Sequence, residues 1–116
     1  MSDSRRRSKR DNRVQAVIDS VQNFELSESS SWSDLDALSN RTYVDQIEVD
    51  PAGVIIERGG HFQGMMNVYV LLEYGSSGDD RFETSDSFLG RFKGHFDQKQ
   101  AAVIDEISVD TSPFYK

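Results

Sequence analysis

Two short stretches of this chain present the same carboxylate in the same setting. Val44-Asp45-Gln46-Ile47-Glu48-Val49-Asp50 and Ile104-Asp105-Glu106-Ile107-Ser108-Val109-Asp110 both read [Val/Ile]-Asp-x-Ile-x-Val-Asp. Seven residues are too few for a repeat architecture, but they predict two strands with equivalent faces. If those strands were neighbours, Asp45 and Asp105 would approach on one apolar face. Carboxylates brought together share a proton or hold a hard cation such as Mg²⁺. The competing reading places both near strand ends, facing water. Glu73 is a third candidate, because it ends the most apolar run of the chain. Carboxylates at the end of a central strand occur in metal-dependent nucleases, a fold-level analogy. Such sites place a Lys two residues on; here that position is Gly75. Asp45, Glu73 and Asp105 are thus the candidate metal ligands, with Mg²⁺ the possible cofactor and no organic cofactor implied.

Other ligand sets fit less well. Residues 78–86, Gly-Asp-Asp-Arg-Phe-Glu-Thr-Ser-Asp, are rich in oxygen ligands. They lack the glycine at position 6 and the Glu at position 12 of a calcium loop, and read as a solvated acidic loop. With no cysteine in the chain, zinc would need His61, His95 and carboxylates drawn from distant segments, without any short His-x-His pattern. His61, between Gly60 and Phe62, reads instead as a loop residue at a binding surface. No Gly-x-Ser-x-Gly elbow is present. The glycine-rich stretch 59–64 leads into a strand, so it is not a phosphate loop.

Arg5-Arg6-Arg7-Ser8-Lys9-Arg10 is a basic run without interleaved aromatics. It suits phosphate contacts made without reading sequence, and hence weak, non-specific nucleic-acid binding. Residues 1–13 carry six basic and two acidic side chains, a balance of +4. Residues 14–116 carry seven basic and eighteen acidic ones, a balance of −11. The body's own field favours basic partners.

The elements that must position these groups fit one domain of 116 residues, with 36% hydrophobic residues supplying one modest core. Residues 1–12 hold a single apolar side chain and are expected to be a disordered basic tail, leaving 13–116 as the domain. Val14, Val17, Ile18, Val21 and Phe24 share one helical face, with Asp11 or Asn12 as N-cap. Trp32, Leu35 and Leu38 suggest a short helix capped by Ser33. Strands are expected over 43–49, 54–56, 65–74 and 102–109. In the first, Tyr43, Ile47 and Val49 point one way; in the last, Val103, Ile107 and Val109 do. Asp50-Pro51-Ala52-Gly53 should close a bulged hairpin with Gly53 left-handed. Residues 81–100 are hardest to place: Phe88, Phe92 and Phe96 have helical spacing, yet Gly90 and Gly94 oppose a helix. The expectation is an irregular segment whose Phe side chains cover the sheet or form a protein-binding patch.

The fold class is therefore α+β: an N-terminal amphipathic helix packed on a mainly antiparallel sheet of about four strands. No apolar run approaches bilayer length and no secretory signal is visible, so we expect a cytoplasmic protein without a membrane contact. The preferred function is a non-catalytic protein-interaction module, with Phe88, Phe92 and Phe96 as partner-binding residues and a protein as partner. The alternative is a nucleic-acid-processing accessory or hydrolase-like domain with an acidic divalent-metal site, and with Arg5, Arg6, Arg7, Lys9 and Arg10 as phosphate anchor.

Overall fold

The computed structural model describes residues 9–75 and 81–115. Helix α1 runs Lys9–Gln22, short helix α2 Trp32–Asp36, and the strands are β1 Arg41–Val49, β2 Ile55–Ile56, β3 His61–Tyr74, β4 Phe82–Phe96 and β5 Ala102–Val109. The architecture is the expected α+β one, a helix packed on a wholly antiparallel sheet. The order is β1-β3-β4-β5, with β2 continuing the β1 edge of β3. Among the described residues no helix is long and apolar enough to cross a membrane.

Helix α1 forms where the 3.6-residue pattern asks for it. Val14, Val17, Ile18 and Val21 are all buried. Each contributes roughly 1.5–3 kcal/mol of burial against the ordering entropy of the segment. The helix begins at Lys9, four residues before the expected domain boundary. Asp11 and Asn12 therefore lie within it and do not cap it. Arg5, Arg6 and Arg7 lie outside the described residues, as do 78–80 of the acidic stretch, whose residues 82–86 run in β4 and not in a loop. Helix α2 is capped at Ser31, not Ser33, and Ser31 makes no capping bond with its side chain. Its hydroxyl instead accepts from Val109 N at 3.2 Å, tying α2 to β5.

The main correction concerns β4. Residues 82–96 form one long strand, paired with β3 along its whole length from Tyr74↔Phe82 to His61↔His95. Side chains four apart share a face in a strand as well as in a helix. Phe88 and Phe92 are core residues, 3% and 1% exposed, and Phe96 packs beside them. They are therefore not an exposed patch. Gly90 and Gly94 occupy the alternating core positions between them. A Cβ on Gly94 would collide with the Val103 carbonyl and the Phe62 ring, and one on Gly90 would lie 2.6 Å from Met66 Cε. Absence of side chains is what lets the β3 residues fill those places.

Both edge strands carry a bulge at the echoed aspartate. Pairing jumps from Val44↔Val70 to Gln46↔Tyr69 in β1, and from Glu106↔Lys93 to Ile104↔Gly94 in β5. The extra residue is Asp45 in one and Asp105 in the other. A bulge reverses which face later residues occupy. Thus Thr42 is buried with Ile47 and Val49, whereas Tyr43 is 40% exposed on the other face. Likewise Ala102 and Ile104 join Ile107 and Val109 at the core, and Val103 turns outward. Strict alternation misassigned Tyr43 and Val103 for this reason. The Asp50–Gly53 turn also differs. Asp50 accepts from Ala52 N at 3.0 Å in a 3₁₀ turn, Gly53 has no positive φ, and β2 pairs with β3 instead of returning along β1.

Candidate functional site

The sheet has one face under α1 and one open to solvent. On the open face, cross-strand pairing sets side chains in rows. The row at the end of the β3–β4 ribbon is His61, His95 and Val103. The next is Ile55, Gln63, Lys93 and Glu106, and the third is Met65, Arg91 and Ser108. Arg91, Lys93 and His95 alternate along β4 with Phe92 and Gly94, which fill the core. One strand thus carries both the basic line and the hydrophobic anchor.

His61 and His95 are directly opposite, with ring centroids 6.4 Å apart and planes inclined by 55°. The rings are too far apart to bond each other and close enough for one bridging group to touch both. The turn delivering His61 depends on Gly60, whose φ of 89° suits glycine, and on Gly60 N donating to Glu57 O at 3.0 Å. On the other side of the sheet end, the Arg13 guanidinium lies 4.3 Å from the centroid of the Phe96 ring, bracing the residue after His95.

Asp105 completes the pair. Its Oδ2 lies 2.8 Å from His95 Nδ1. A carboxylate only accepts, so Nδ1 is the donor of this bond and Nε2 is left outside it. The bulge makes this contact possible, since the extra residue of β5 leans over His95. Glu57, His61, Gln63, Lys93, Asp105 and Glu106 line a shallow groove on the His61 side of the pair. Lys93 Nζ is 3.9 Å from Glu106 Oε1, both side chains 67% exposed. So loose a pair leaves the ammonium free to turn toward an anion. Farther along the face, Tyr69 donates to Glu48 Oε1 at 3.2 Å, and the Glu48 charge holds the phenol above its ordinary pKa.

The three acidic candidates are not brought together. β1 and β5 are opposite edges with two strands between, about 14 Å apart by ordinary strand spacing. Asp45 and Asp105 are therefore not neighbours. Glu73 sits at the far end of β3, roughly 30 Å from Asp105 along the strand, in a 2.8 Å ion pair with Arg81. Among the described residues no group of three or more His, Asp or Glu side chains is arranged to hold a metal ion. The sequence reading missed the pairing of His61 with His95. The available signal was the alternation Arg91-x-Lys93-x-His95, which marks residues 91–95 as a strand with one polar face.

Fold and site together define a small helix-on-sheet protein with two facing histidines on an open antiparallel face. The chain belongs to the family described as predicted pPIWI-associating nucleases, whose model matches residues 6–115. No curated protein and no solved structure matches it.

Proposed function

We propose that this chain cleaves RNA by acid–base chemistry at His61 and His95. The observation that carries this reading is two imidazoles facing each other across β3–β4, one held by Asp105, with Lys93 in the adjoining row. The family description, which names a nuclease, supports it. One imidazole takes the proton of a ribose 2′-hydroxyl. The 2′-oxygen attacks the adjacent phosphorus, and the bond from phosphorus to the 5′-oxygen breaks. The other imidazole, protonated, gives its proton to that leaving oxygen. The products are a 2′,3′-cyclic phosphate and a 5′-hydroxyl, with no oxidant or outside nucleophile needed. Lys93 offsets the charge that grows on the phosphate oxygens. Proton transfer of this kind contributes about 10²–10⁴-fold in rate.

The test is end-group analysis of a single-stranded RNA incubated with the full chain in excess chelator. A cyclic phosphate paired with a 5′-hydroxyl is the expected outcome. Cleavage that requires Mg²⁺ and leaves a 5′-phosphate would overturn the acid–base reading.

The family description also supports the protein partner expected from sequence, here a pPIWI protein. In this reading the basic residues Arg5, Arg6, Arg7, Lys9 and Arg10 serve as an auxiliary phosphate anchor. Co-elution of the purified chain with the pPIWI protein of the same organism is expected. Separate elution at micromolar concentration would remove the partner from this account.

A further inference from the structure

Beside the histidines, the open face carries a feature that acid–base chemistry does not use. Ile55 and Met65 are 53% and 45% exposed, large apolar side chains in water on neighbouring rows. With Gln63, Arg91 and Lys93 they border a hollow of about 260 Å³. That lies below the roughly 300–1,000 Å³ of sites that enclose a whole drug-sized ligand. It suits a flat ring laid on a surface. The hollow and the histidine groove share Gln63 and Lys93, so a molecule in one reaches the other.

We propose that this hollow seats one unpaired base of the RNA strand, whose phosphates run along β4 from His95 past Lys93 to Arg91. The inference rests on the RNA-cleaving reading and adds the substrate's path and a nucleotide-binding subsite. Three observations support it. Alternate residues of a strand lie about 6.6–6.8 Å apart, so the three cationic or proton-bearing groups of β4 form an evenly spaced line on one face. Charge is locally reversed on this strand: the body is strongly acidic, yet β4 turns Arg91, Lys93 and His95 outward together, with Lys93 beside Glu106 and His95 beside Asp105 on β5. The apolar ground beside that line is small, and it is flanked by one amide, Gln63, able both to donate to and accept from a base edge. Met65 offers its polarisable sulfur to a ring face, and the Arg91 guanidinium bonds a phosphate with its planar fork. Such contacts require a splayed base, so an unpaired strand is the substrate in preference to a duplex.

The experiment uses the full chain carrying His61→Ala and His95→Ala, which leaves RNA intact, and a short fluorescein-labelled single-stranded RNA read by anisotropy. Adding Ile55→Ala and Met65→Ala is expected to weaken binding about fivefold, the effect of removing a small apolar surface from under one base. Adding Arg91→Ala instead should lower the slope of log affinity against log salt by about 0.7, one phosphate contact. In the cleaving protein the Ile55/Met65 pair should raise KM and leave kcat in place. These side chains are exposed, so an unchanged melting temperature verifies the fold. Unchanged affinity and KM, or duplex RNA bound as tightly as the single strand, overturns the subsite while cleavage by the histidines stands. Absence of cleavage in the parent chain, with binding still sensitive to Met65 and Arg91, sinks the RNA-cleaving reading and leaves the subsite in place.

Discussion

At the scale of single residues, the decisive geometry is between side chains 34 positions apart, and Asp105 acts only through one of them. Its carboxylate fixes which nitrogen of His95 is free, so it is a positioning residue. Asp105→Asn can present its amide to Nδ1 and favour the wrong tautomer. In Ser-His-Asp sites that change costs about 10⁴ in kcat; Asp105 is half exposed, so a loss of about tenfold is expected here, with a distorted pH profile. The parent protein should give a bell-shaped dependence of kcat/KM on pH, because one imidazole must be neutral and the other protonated. A single sigmoid would leave only one titrating group in the chemistry. Little of this was legible in sequence. Asp105 stood out through its echo with Asp45, but the echo marks a shared bulge and says nothing about proximity. The histidines lacked any local spacing, since antiparallel register, not chain distance, makes them neighbours.

At the scale of elements, β4 decides both core and site. Its core-facing phenylalanines are at 88, 92 and 96, with glycine at 90 and 94, a spacing that satisfies the strand and helix periods alike. The glycines were read as helix breakers, when their function is steric. Gly94→Ala should destabilise the protein by about 1–3 kcal/mol, as overpacking does. Because Gly94 lies beside the β5 bulge, it should also loosen the His95–Asp105 contact. Thermal unfolding and the cleavage rate would both register it. Phe92→Ala, at a position 1% exposed, should cost about 3–5 kcal/mol. A fold that tolerates it without loss of melting temperature would contradict the core assignment. By contrast α1 and β3 were legible, the first through its hydrophobic period and the second through its apolar run, although β3 begins at His61 and not at 65, so His61 is a strand residue and not a loop residue. The outward turn of Tyr43 and Val103 was not, since a bulge leaves no mark in composition.

At the scale of the whole molecule, charge is the organising quantity. A body with a balance of −11 repels nucleic acid at long range, so binding must come from a local line of cations. Such binding is expected to be short-ranged and strongly salt-dependent. Removing residues 1–8, which include Arg5, Arg6 and Arg7, should weaken RNA affinity at low salt and lower the salt slope by up to about 2. The rate of a saturated, committed complex should stay the same. A truncated chain with an unchanged slope would show that the tail makes no phosphate contact. The α+β class and the antiparallel sheet were legible at this scale. The sheet's open face was not, because the apolar run before Glu73 puts hydrophobic side chains on both faces of β3.

The most direct test of the central claim is the rate of single-stranded RNA cleavage by His61→Ala and by His95→Ala, measured beside the parent chain in chelator. Each change is expected to lower kcat by about 10²–10⁴-fold with melting temperature intact. Cleavage that survives both substitutions at the parental rate would contradict the account, and the paired histidines would then be surface residues of a different site.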